Sequence, residues 1–105
     1  MNTQWNFHHC NGAKSKARDY WKKKEPRFDR LLRRVAKPHK FVMTLYRHRQ
    51  REEWELRATL HTSAGTITVE DTRPTLYETI DMVADMLAEA IRRQKNETQK
   101  RILHH

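Results

Sequence analysis

Hydrophobic positions change their period several times along the chain, and each change marks an element. Trp5 and Phe7 alternate with polar Asn6 and His8, the two-residue period of a half-buried strand. Asn11-Gly12 then predicts a turn. From Ala13 the spacing turns helical: Ala17, Tyr20, Trp21, Phe28, Leu31, Leu32 and Val35 recur on one side, with Lys and Arg filling the others. Pro26 lies within this stretch. It lacks the N–H an unbroken helix needs and crowds the preceding turn, so it predicts a kink, or a second helix with Pro26 in its first turn. Lys37-Pro38 ends the element.

The two-residue period then returns. Phe41, Met43 and Leu45 alternate with Val42, Thr44 and Tyr46, and Trp54, Leu56, Ala58 and Leu60 alternate with Glu55, Arg57, Thr59 and His61. Arg47 to Glu53, charged and without apolar period, is expected to be a solvated hairpin loop. After Ser63-Ala64-Gly65, Ile67 and Val69 alternate with Thr66, Thr68 and Glu70, and the runs on either side of that turn should pair antiparallel. Thr75-Leu76-Tyr77-Glu78 fits a capping box, in which the Thr hydroxyl and Glu carboxylate cover exposed backbone N–H groups. A helix is therefore expected from about Thr75, buried along Leu76, Ile80, Val83, Ala84, Leu87 and Ile91. Its acidic start (Glu78, Asp81, Asp85) and basic end (Arg92, Arg93, Lys95) both suit the helix dipole. The period is lost at Asn96, so residues 1–96 are read as the domain and residues 97–105 as a short, basic, frayed tail.

The order strand, helix, three strands, helix predicts an α+β fold. Its four-stranded sheet would have two helices packed on one face, as in double-stranded-RNA-binding domains, and the first helix would be a right-handed crossover between parallel strands. With 105 residues, one modest core is expected.

Charge sharpens this picture. The net charge is +9 and the sequence pI about 10.1, which makes a polyanion the first partner to consider. The charge is also segregated: residues 1–51 sum to +12, residues 52–91 to −7 and residues 92–105 to +4. Two basic segments on separate elements can line one surface if the fold brings them together. The candidate RNA-binding residues are Lys22, Lys23, Arg27, Arg30, Arg33 and Arg34 on the first helix and Arg92, Arg93 and Lys95 on the second. Each cation that neutralises a phosphate releases counterions, which gives affinity with little sequence reading.

Other chemistries have weaker support. His8-His9-Cys10 could suggest a metal site, but adjacent strand residues point to opposite faces and no second ligand pair follows. Trp21 and Tyr20 could stack on bases, yet within an apolar stripe they are better read as core. Tyr46 and His48, on the polar strand face, are freer to meet RNA or solvent. With two glycines there is no phosphate-cradling loop, and no nucleophile elbow is present, so no catalytic residue is assigned and the chain is read as a non-enzyme without cofactor or small-molecule substrate. A lone Cys10, a start without signal-peptide character and no long apolar run predict a soluble, cytoplasmic chain with no membrane partner.

Ala58-Thr59-Leu60-His61 through Val69, then Leu76-Tyr77-Glu78-Thr79-Ile80-Asp81 and Leu87-Ala88, resembles the ribosome hibernation-promoting factor / ribosome-associated inhibitor (protein Y) family in its short form. Tyr77, Ile80, Asp81, Val83, Asp85, Leu87, Ile91, Arg93 and Lys95 match the family's C-terminal helix pattern. Thr79, Met86, Glu89 and Ala90 depart from it, and Met86 and Glu89 stand where basic residues are usual. Arg27-Phe28-Asp29-Arg30-Leu31 is similar to the family's basic helix. The resemblance implies a stress-response translation inhibitor that binds rRNA of the small ribosomal subunit, occupies its mRNA and tRNA channel and is a monomer off the ribosome. The alternatives are a generic structured-RNA-binding module and a nuclease or toxin acting through His8, His9 or His48.

Overall fold

The computed structural model describes residues 2–35 and 37–103, with side chains described as far as Lys95. The elements are β1 (Thr3–His8), α1 (Lys14–Lys22), α2 (Glu25–Leu31), β2 (Lys40–His48), β3 (Glu53–Thr62), β4 (Gly65–Arg73) and α3 (Leu76–Leu103). The four strands form one sheet in the order β1-β2-β3-β4, with β1 parallel to β2 and the other neighbours antiparallel. The α+β fold expected from the sequence is therefore present, with three helices in place of two.

The extra helix comes from the break that Pro26 forces. Pro26 sits in the first turn of α2, where its missing N–H costs nothing. The break itself is tight: Lys24 N–H donates to the Trp21 carbonyl (2.9 Å) and Arg27 N–H to the Lys24 carbonyl (3.1 Å). Trp21 and Phe28 are seven residues apart, two helical turns, so both still reach the core across the break. Their rings stack 5.1 Å apart, and both meet Phe41 of β2 edge-on, at 6.0 and 5.6 Å.

The alternation along the strands sorts their side chains as the period requires. Phe41, Met43, Leu45, Leu56, Ala58 and Leu60 are fully buried against Ala17, Trp21, Phe28, Ile80, Val83, Ala84 and Leu87 in one cluster, so all three helices cover the same face. The other face carries Val42, Thr44, Tyr46, Arg57, Thr59 and Glu70, none of them buried. Its polar groups bond across the strands: Arg57 to Glu70 (3.0 Å), Thr59 with Thr68 (3.2 Å) and His48 with Glu55 (2.9 Å).

Three boundaries differ from the expected ones. The first helical stretch, expected to run to Lys37, ends at Leu31, and Arg33 and Arg34 lie in the turns after α2, where Arg33 N–H donates to the Arg30 carbonyl (3.4 Å) and Val35 N–H to the Leu32 carbonyl (3.0 Å), tighter than the helical pattern. Arg47 and His48, read as loop, pair in register with Trp54 and Glu53, so the hairpin loop is only residues 49–52. Arg47 completes the strand's inner face by laying its guanidinium carbon 4.8 Å from the Trp54 ring centroid. At the other end of the chain, the backbone stays helical to Leu103, past the expected loss of period at Asn96. The side chains of the tail placed at 97–105, and residues 104 and 105 altogether, lie outside the described residues.

Candidate nucleic-acid interface

Four contacts fix how the basic helices lie on α3. Asp81 Oδ1 accepts the Tyr20 hydroxyl (2.8 Å) and pairs with the Lys24 ammonium (2.6 Å), Asp85 Oδ1 pairs with Arg27 (2.8 Å), and Lys95 Nζ donates to the Leu31 carbonyl at the end of α2. The partners climb in the same order on both sides, so α1 and α2 run alongside α3 in one direction and the basic end of α3 finishes beside the end of α2. Sequence-distant basic segments thereby become neighbours.

The same contacts explain the segregated charge. Asp81 and Asp85 neutralise the inner side of the basic helices, at Lys24 and Arg27. Other acidic residues of that middle stretch have partners of their own: the His48 ring is hydrogen-bonded to Glu55, and Arg57, Arg73 and Arg93 pair with Glu70, Asp71 and Glu89. Among the described residues, Lys22, Lys23, Arg30, Arg33 and Arg34 form no ion pair, and all five are exposed. The surplus positive charge therefore faces solvent across α1, α2 and the end of α3.

The nine candidates fall into groups. Lys22, Lys23, Arg30, Arg33, Arg34 and Arg92 are exposed and outside any ion pair among the described residues. Arg93 is exposed and loosely paired with Glu89 one turn earlier, at 3.4 Å. Arg27 and Lys95 are half-buried and hold the helices together. Sequence reasoning missed Lys14, Lys16 and Arg18, all exposed on α1. Lys14 and Arg18 lie over the Phe7 ring, at 5.9 and 5.1 Å from its centroid. The four-residue spacing of Lys14, Arg18 and Lys22, which puts them on one helical stripe, was the available signal.

Asp81 also shows the site's electrostatics. Burial pushes its carboxyl up, but the Lys24 ammonium and the Tyr20 hydroxyl outweigh that and hold it below the usual carboxylate range. Tyr20 responds in the opposite sense: its hydrogen bond to Asp81, then burial, then the carboxylate charge raise its hydroxyl.

The rival features find ordinary packing roles. Trp21 is wholly buried, as the helical stripe implied. Tyr46 stacks between His8 (4.5 Å) and His48 (6.1 Å) on the open sheet face. His8 and Cys10 do not converge: Cys10 is buried, with its thiol bonded to the carbonyls of His8 and Leu45 (3.3 Å each), and burial raises it. Among the described residues no three His, Cys, Asp or Glu side chains are grouped to hold a metal, and no helix is long and apolar enough to cross a membrane.

Comparison with solved structures finds this fold in the N-terminal domain of Thermus thermophilus protein Y, at 22% identity and a TM-score of 0.72, covering 89% of this chain and 98% of that one. A ribosomal subunit interface protein from Coxiella burnetii matches at 14% identity and a TM-score of 0.74, covering 91% of this chain and 99% of that one. No curated protein sequence matches. The family described as sigma 54 modulation protein / S30EA ribosomal protein matches residues 4–99. The hibernation-factor resemblance read from the strand and helix motifs thus holds over nearly the whole chain, which belongs to the sigma 54 modulation protein / S30EA ribosomal protein family.

Proposed function

We propose that this chain is a ribosome hibernation factor. As a monomer, it binds the small ribosomal subunit through rRNA phosphates, occupies the channel used by mRNA and tRNA, and so silences translation. The observation that carries the reading is the joined basic surface of α1, α2 and the end of α3, most of whose exposed cations are outside ion pairs among the described residues, on a fold shared with a ribosomal subunit interface protein. Lys22, Lys23, Arg30, Arg33, Arg34, Arg92 and Arg93 supply the phosphate contacts, while Arg27 and Lys95 set the helices at the spacing the surface needs. Structured RNA is met largely through shape and backbone, which suits a surface of exposed cations.

Sedimentation with purified ribosomal subunits tests it. The protein should travel with the small subunit or intact ribosome, inhibit a cell-free translation reaction, and be displaced by mRNA together with initiator tRNA. Binding to the large subunit alone would overturn the proposal, and binding indifferent to both competitors would overturn the channel placement. Equal affinity for naked duplex RNA and for ribosomes would instead mark a generic structured-RNA module.

A further inference from the structure

The joined basic surface leaves one basic cluster unused, at the opposite end of the sheet. There, His9 from the β1–α1 turn meets Arg47 and His48 at the end of β2 and Arg49, Gln50 and Arg51 of the hairpin loop around a pocket of about 590 Å³. Among the described residues no carboxylate lines it. Glu55 is bonded to His48, and among the described residues neither Glu52 nor Glu53 forms an ion pair with Arg47, Arg49 or Arg51. The Arg47 guanidinium is held against Trp54, and its buried Nη1 has no hydrogen-bond acceptor. The guanidiniums that meet solvent at the pocket are those of Arg49 and Arg51, both exposed and in no ion pair among the described residues, and they can donate to an anion there. Two residues at its margin, His9 (φ 61°) and Glu52 (φ 52°), occupy left-handed backbone that side-chain-bearing residues seldom adopt.

The pocket also has a place in the wider charge pattern. β3 spans ten residues, so the hairpin end lies roughly 30 Å from the end where α2 and α3 finish. Lys14, Arg18 and Lys22 form a stripe along α1, which starts at the hairpin end and runs toward the other patch. Cations thus continue from one end of the domain to the other along one side.

We infer that the hairpin pocket is a second RNA-phosphate site, with Arg49 and Arg51 as its solvent-facing contacts, so that the protein grips two backbone segments about 30 Å apart. This rests on the reading that the chain binds ribosomal RNA. Guanidinium groups suit phosphate oxygens because their planar N–H forks donate two bonds at once.

The test uses the full chain and the exposed pair Arg49→Gln/Arg51→Gln, with unchanged circular dichroism as the check on folding. Affinity for purified small subunits is measured across a salt series, and the arginine side-chain N–H resonances of the free protein are followed on adding a single-stranded RNA hexanucleotide. The double variant should bind small subunits about tenfold more weakly at low salt, with a salt slope shallower by about 1.5 units, as expected for two lost phosphate contacts. The hexanucleotide should shift resonances from Arg47, Arg49 and Arg51 in the native protein. Normal affinity and slope in the double variant, with native binding intact, would overturn the inference. Should the native protein not bind ribosomes, the proposed function fails and the titration alone decides: shifts at the hairpin arginines sustain the pocket, and silent arginines refute it. A hexaglutamate peptide that shifts them as strongly as RNA would also refute it, because the pocket would then take protein carboxylates.

Discussion

Asp81 gathers two donors on one oxygen, and its carboxylate is the electrostatic joint between α1 and α3. Its folded pKa lies below the ordinary carboxylate value. The group therefore stabilises the fold fully above the unfolded pKa, about 3.9, and that contribution is lost as pH falls through the folded value. Tyr20 has the opposite sign: its pKa is raised, so its contribution is complete below about 10 and is lost as pH rises through the folded value. The Asp81 side chain keeps 45% of its surface exposed, so solvent screening limits the effect. Asp81→Asn should cost about 0.5–1 kcal/mol at neutral pH and flatten the acid side of the stability profile measured by urea unfolding, below about pH 5. Tyr20→Phe should cost about 1 kcal/mol and remove the decline at high pH. An Asp81→Asn protein that still loses stability in acid as steeply as the native one would assign that loss to other carboxylates.

Among the elements, α3 had the most legible start, because the Thr75 cap and the apolar period agreed, although the Glu78 carboxylate of the expected capping box makes no bond back to the backbone among the described residues. Thr75 Oγ1 accepts from Glu78 N–H (3.3 Å) at its start, and Thr79 N–H donates to the Thr75 carbonyl (3.1 Å). Thr75→Ala should cost about 1 kcal/mol, read as a melting temperature lower by about 4–8 °C for a domain of this size. RNA affinity should stay unchanged, since Thr75 lies far from the basic end of α3. The strands were legible for a similar reason: buried and unburied positions alternate from Phe41 to Tyr46 in β2 and from Glu55 to His61 in β3. The break between α1 and α2 was harder to place. Trp21 and Phe28 are spaced by two whole turns, so the apolar period runs through the break undisturbed, and Pro26 alone could not separate a kink from two helices. Arg47 and His48 were misread as loop because charge was taken for exposure; a guanidinium stacked on Trp54 fills the end of a strand as an apolar side chain would. The site was legible only as a set of charges. Which cations would be tied up, as Arg27 and Lys95 are, depends on partners more than fifty residues away.

For the whole molecule, the question is which surface meets RNA, and the two faces of the domain make opposite offers. The helical side presents Lys22, Lys23, Arg30, Arg33 and Arg34 without ion-pair partners among the described residues, whereas Arg57 on the open sheet face is bonded to Glu70. Changing Arg30, Arg33 and Arg34 together to Gln should therefore weaken small-subunit binding at low salt and make its salt slope shallower by about two to three units, one phosphate contact per arginine. The fold should survive, because the three side chains lie off the Phe28 and Leu32 core positions and exposed substitutions of this kind usually cost within about 0.5 kcal/mol each. Arg57→Gln removes a cation already neutralised by its neighbour across the strands, so affinity and slope should scarcely change. The comparison is made in one salt series, with circular dichroism matched between variants. If Arg57→Gln weakened binding as much as the triple change, the open sheet face would be the one that meets RNA, and the helices would face away.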